Sequence, residues 1–203
     1  MTAVIDPLIG HGPNAAVRER LAGGPVVVLD GRGSGHLVAP ADDVTTETMA
    51  FLVRVGSGFV QVAVTGETCE RLLLPPMVWP VPAGPRGDHC VSVDATHGVS
   101  TGISAADRAL TARLLAAPTT EPDALTRPGH VVPVRVRTAD SPAGLALAVA
   151  ARAGRRAAVL CAAVPAGDPC AEARTEDLLA LADAHGLPVV SAADLLTTSE
   201  GNL

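Results

Sequence analysis

CVSVDATHGVSTGISAADRALT, residues 90–111, decides the fold. Its first six residues alternate like a strand with one buried face. Val99 to Arg108 is small and polar. Ser104 then stands at a helix N-cap with Asp107 at the third helical position, a short capping box, and the helix should run to about Ala117. A strand, a small-residue loop and a capped helix in succession are the working parts of an α/β or α+β domain. Free N–H groups and the dipole make that helix start a candidate anion site, although a plain capped start accounts for the same residues.

Similar units lie on both sides. Asn14 can cap a short helix through Leu21, ended by Gly23-Gly24. PVVVLD, residues 25–30, reads as a buried strand, and GRGSG, 31–35, as a loop. Thr45 or Thr46 starts a helix that places Met49, Leu52 and Val53 on one face and stops at Gly56. FVQVAV, 59–64, is a strand. Residues 75–88 are rich in proline and read as an irregular, ordered loop. Val131 to Val136 is a strand that Pro133 marks as an edge or a bulge. Ser141 and Pro142 open an Ala-rich helix to Gly154 as N-cap and first residue. Ala157 to Val164 is a strand, Thr175 to His185 a helix closed by Gly186, Val189-Val190 a strand, and Ser191 with Asp194 caps a last short helix. Several strands follow one another without a helix between them. The expectation is one mixed-sheet α/β (α+β) domain over residues 1–203, with flanking helices.

Composition narrows the function. The 203 residues are 48% hydrophobic and 18% charged, which excludes a disordered chain. All 15 basic residues are Arg. Without Lys there is neither Schiff-base chemistry nor a P-loop lysine. Phe51, Phe59 and Trp79 are the only aromatic residues of the Phe, Trp and Tyr types, and the net charge is -6, so no nucleic-acid partner is expected. No apolar run is long enough for a membrane span, and no secretory pattern opens the chain, so a cytoplasmic location is expected. Cys69, Cys90, Cys161 and Cys170 form no close pair of the C-x-x-C kind and read as buried or incidental thiols.

Three places could carry chemistry. GRGSG shares glycines with a dinucleotide fingerprint, but His36 to Pro40 continue in extended form instead of opening a helix, so a glycine-rich turn is the better reading. His130, in RPGHVVP (127–133), lies between a Pro-Gly turn and a strand, where an imidazole can act as acid or base or serve the structure alone. The acidic pairs Asp42-Asp43 and Glu176-Asp177 sit near helix starts and read as structural.

Taken in order, VVVLD (26–30), SGFVQVAV (57–64), RLLLPPM (71–77), VSVDATHGVSTGISAADRALT (91–111), RPGHVVPVR (127–135), AAVLC (157–161) and HGLPVVSAADLL (185–196) resemble 3,4-dihydroxy-2-butanone 4-phosphate synthase over nearly the whole chain. The resemblance implies that family's fold, a homodimer with its site near the subunit interface, and a cytoplasmic enzyme of riboflavin biosynthesis. Such an enzyme uses magnesium to convert ribulose 5-phosphate to the four-carbon phosphate plus formate.

The departures from that pattern fall at particular places. The family's acidic loop, D-D-E-D-R-E-N-E-G-D-L, is here the shorter DGRGSGHL of residues 30–37. Its G-H-T-E helix start is here Ser141-Pro142-Ala143-Gly144. The glutamate of V-L-C-E is Ala162, and the cysteine of S-G-x-V-C-V is Gln61. Asp94, Ser100, Thr101, the Ser104–Arg108 helix start, Arg127 and His130 remain. His130 and Thr101 are the catalytic candidates, with substrate contacts expected from Gln61, Asp94, Ser100, Arg127, Arg32 and Ala162. Neither metal nor cofactor is expected, since magnesium needs carboxylates to hold it. The first functional reading is a repurposed, metal-independent lyase, isomerase or cyclase with a role in secondary metabolism. Its substrate would be a mostly apolar small molecule in an enlarged, drier pocket. Two alternatives stay open: a non-catalytic scaffold, and the riboflavin-pathway synthase itself.

Overall fold

A computed structural model describes residues 24–79, 88–165, 167–168 and 170–196. The helix expected at 14–21 and most of the proline-rich loop lie outside these. Eight strands form one mixed sheet: β1 (Val26–Leu29), β2 (Gly35–Pro40), β3 (Gln61–Val64), β4 (Asp88–His89), β5 (Val93–Ala95), β6 (Leu125–Arg135), β7 (Ala158–Ala162) and β8 (Val189–Ser191). Their order is β4-β6-β3-β7-β2-β1-β8, with β5 also on β6. The β1/β8 and β3/β6 pairs are parallel and the others antiparallel.

Runs such as VVVL and AVLCA are apolar throughout because both faces of the sheet are covered. Side chains alternate across a strand. Val27, Leu29, Leu37 and Val159 therefore enter one core, with α1 (Thr46–Val55), α3 (Ala105–Ala116) and α5 (Thr175–His185). Val26, Val28, Val38 and Leu160 enter the other, under α4 (Pro142–Arg152) and α6 (Ala192–Leu196). The small residues Ala143, Gly144, Ala146 and Ala150 let α4 lie close on the strands. No described helix is long and apolar enough to cross a membrane.

The expected caps at Thr45, Ser104 and Ser141 each accept an N–H from three residues on, and Gly186 ends α5 in a left-handed conformation, φ +63°. One element was not expected, and one expectation needs correcting. Gly66–Arg71 forms a short helix, α2, started by Thr65. Pro133 lies inside the sheet, because β6 gives the N–H groups of Val132 and Val136 to β3. The alternate residue Pro133 faces the other side, where only the two-residue β4 lies alongside and no N–H is required.

Candidate functional site

β5 and β6 build the site through an irregularity in their pairing. Val93 faces Val131, but the next residue, Asp94, faces Thr126, so Arg127 to His130 bulge out of register. Bulges re-aim side chains. This one brings both the backbone N–H and the ring of His130 onto one carboxylate. Asp94 Oδ1 accepts the His130 N–H at 2.9 Å, and Asp94 Oδ2 lies 2.7 Å from His130 Nδ1. The Asp94 side chain is 8% exposed and the His130 side chain 41%. An ionised carboxylate only accepts, so Nδ1 carries the proton and Nε2 is left to give or take one.

A second piece of chain presses on this pair. Gly102 has φ +83°, and a Cβ there would overlap Asp94 Oδ2 and lie 2.8 Å from His130 Nδ1. Asp107, at the start of α3, holds the Gly102 loop. It accepts from the Ser100 hydroxyl at 2.9 Å, the Ser100 N–H at 3.3 Å and the Gly102 N–H at 3.1 Å. Burial works against its charge, but these donors prevail and hold the carboxyl below the ordinary carboxylate range. The expected capping box is therefore half present: Ser104 Oγ takes the Asp107 N–H, while the Asp107 carboxylate turns to the loop. Ser100 and Thr101 are exposed at the tip of that loop.

Beside them, Arg108 is buried, 7% exposed, and donates to the Gly58 carbonyl at 3.1 Å. Its Nε has no hydrogen-bond partner. Burial lowers its pKa, while the fields of Cys161 and Asp94 favour the cation.

The other expected contacts divide. Gln61 opens β3, half-buried, opposite Val132 and two residues along β6 from His130. Ala162, half-buried, pairs with His36. Arg32 is exposed and forms an ion pair with Asp140 at 2.6 Å. Arg127 does not reach the pair. Its guanidinium donates to the carbonyls of Leu72, Leu125 and Pro122, which makes it a clasp for the chain rather than the expected ligand contact. The contacts found around His130 are polar rather than the expected apolar ones: Asp94 holds its ring and backbone, and Ser100 and Asp107 hold the neighbouring loop. A groove of about 420 Å³ exists, but between Thr68, Leu115, Leu147 and Arg155, with neither His130 nor Thr101 in its wall.

Sequence reasoning missed the roles of Asp107, Arg108, His36 and Glu172. Burial pushes the His36 imidazole below its ordinary value, against the pull of Glu172 and Asp30. Glu172 receives the Ser34 hydroxyl at 3.2 Å, and no sequence pattern marks it.

The carboxylates near the β1–β2 loop each have a partner within the protein. Asp30 Oδ1 accepts the N–H groups of Arg32 and Ser34, Asp140 holds Arg32, and Glu172 holds Ser34. At the start of α4, Gly144 leaves no room for a side chain. A Cβ there would overlap the Thr138 carbonyl oxygen and stand 2.7 Å from that of Ala139. Among the described residues, no three His, Cys, Asp or Glu side chains group to hold a metal ion. These residues do not fit a magnesium site of the kind the sequence resemblance implied.

The family model for 3,4-dihydroxy-2-butanone 4-phosphate synthase matches residues 14–198. The chain is 43% identical over 190 residues to the riboflavin biosynthesis protein RibBA of Nocardia farcinica, covering 89% of this chain and 46% of that protein. It is 44% identical over 191 residues to RibBA of Salinispora tropica, covering 89% and 47%. The chain thus spans about half the length of the curated relatives it matches. Among solved structures, a 3,4-dihydroxy-2-butanone 4-phosphate synthase in complex with two magnesium ions superposes with a TM-score of 0.82 at 33% identity, covering 96% of this chain and 100% of that one.

Proposed function

This chain belongs to the 3,4-dihydroxy-2-butanone 4-phosphate synthase family, and from that premise we propose that it is an acid–base catalyst acting on a small hydroxylated carbonyl compound of riboflavin-related metabolism. The observation that carries the reading is the Asp94–His130 pair, 2.7 Å between Nδ1 and Oδ2, with the imidazole open to solvent. A carboxylate that fixes one ring nitrogen leaves the other to take a proton from carbon next to a carbonyl and return it. Thr101, exposed on the loop, offers a hydroxyl to an oxygenated substrate, while the Ser100 hydroxyl is committed to Asp107. The chemistry proposed needs only groups present at the pair: the Asp94 carboxylate and the His130 imidazole.

The test is exchange of solvent deuterium into ribulose 5-phosphate, followed by NMR. Exchange should occur, should persist in EDTA, and should fall by roughly 10²-fold or more in His130→Ala. Exchange equally fast in that variant, or abolished by EDTA, would overturn the proposal, and no exchange at all would favour a non-catalytic scaffold. A second reading, the complete synthase reaction, is supported by the names and the 43–44% identity of the relatives. Formate release with magnesium at the rate of a family member such as the magnesium-bound one would decide for it.

A further inference from the structure

Away from His130, two thiols face each other in the interior. Cys69 on α2 and Cys90 just after β4 are 3% and 1% exposed, and their Sγ atoms lie 3.9 Å apart. The other cysteines are placed differently: Cys161 lies against the Ser57 hydroxyl, and Cys170 is exposed. The backbone already brings the two together. The Leu74 N–H reaches the Cys69 carbonyl at 2.9 Å, the Met77 N–H reaches that of His89 at 2.7 Å, and Pro76 bridges to Cys90. Leu72 and Leu74 pack in the same core as the two thiols, but most of the segment that follows Cys69 is exposed. Leu73, Met77, Val78 and Trp79 are 66%, 52%, 57% and 83% exposed, and Leu73 is held at φ +51°, an uncommon backbone for a leucine. Segments with few buried side chains open locally at low cost.

We propose that Cys69 and Cys90 are a redox modification site, converted by a hydroperoxide into a disulfide that ties α2 to the chain just after β4. The Cys90 thiolate attacks a peroxide oxygen, the O–O bond breaks, and a sulfenic acid and one water form from hydrogen peroxide. The Cys69 sulfur then attacks the Cys90 sulfur, the S–OH bond breaks, and a second water leaves. The thiols lose two electrons and two protons in all, and the peroxide is reduced to water. The hydrogen bond from Cys69 to Cys90 raises the first thiol's pKa and lowers the second's, in keeping with Cys90 as the attacking group. The staple would sit four residues before Asp94, in the link between β4 and β5, so oxidation would stiffen one flank of the candidate site. The inference does not depend on the proposed function.

The test uses the full chain with Cys170→Ser, to keep the exposed thiol out, treated with hydrogen peroxide in dilute urea below the unfolding transition. Trypsin should then release peptides 55–71 and 87–108 as one species, two hydrogen masses lighter than their sum and separated by dithiothreitol. Oxidised protein should melt roughly 5–10 °C higher than reduced protein. Cys69→Ser and Cys90→Ser should each abolish both effects. Failure to find the linked pair, a link from either residue to Cys161 instead, or a linked protein with an unchanged or lowered melting temperature would each overturn the proposal.

Discussion

Gly102→Ala is the sharpest single perturbation of the site. The residue sits at φ +83°, which costs an L side chain roughly 1–2 kcal/mol. The added methyl would also overlap Asp94 Oδ2 and stand 2.8 Å from His130 Nδ1, with both partners fixed by their own hydrogen bonds. Overpacking of this kind adds about 1–3 kcal/mol. Gly186→Ala is the control: it shares the left-handed backbone, at φ +63°, but nothing lies within 4 Å of its added carbon. Urea unfolding should therefore find Gly102→Ala less stable than Gly186→Ala by about 1–3 kcal/mol, the part due to contact. Relief of the overlap should move the loop or the dyad by roughly an ångström, and a catalytic pair so displaced loses on the order of 10²-fold in rate. Two variants of equal stability, or a Gly102→Ala protein with unchanged deuterium exchange, would show that the loop does not press on the pair as described.

Other outcomes follow from the same contacts. Ser141→Ala, which removes the hydroxyl between the Thr138 carbonyl and the Gly144 N–H, should cost about 1–2 kcal/mol in urea unfolding. Asp107 has a depressed carboxyl pKa, so its contribution to stability is complete above the unfolded value, about 3.9, and is lost as pH falls from there through the folded one. Acid titration of Asp107→Asn should lack that part of the slope, and identical profiles would refute the role. Light scattering should give a particle of twice the 20.4 kDa chain mass, since Phe59, Met77, Trp79 and Ile103 are large apolar side chains left exposed. A monomer at micromolar concentration refutes it.

Much of the frame was legible because local rules and packing agree in it. Val26–Leu29 is apolar at every position, Thr45, Ser104 and Ser141 cap through their side-chain oxygens, and Gly186 caps by its freedom to adopt a left-handed backbone. The helix at Gly66–Arg71 was missed because it is one and a half turns long with glycine at its first position, too short for a period to show. Pro133 misled because proline's cost depends on which side of the strand its nitrogen faces, and that is a property of the neighbours. His130 and Asp94 were both singled out, but their meeting rests on a bulge that no spacing encodes. Arg127 was read as a ligand contact for its place beside His130, while its length carries the guanidinium away to Leu72.

Gly144 also bears on what this chain can become. Where the family's pattern has an acidic residue, the carbonyls of Thr138 and Ala139 occupy the space that any side chain would need. No single codon change at 144 can return a carboxylate to that place. Room for a side chain there would require the 138–139 backbone to move away from α4. A Gly144→Glu or Gly144→Asp change made alone would drive its side chain into the Thr138 and Ala139 carbonyls instead of restoring an acidic helix start.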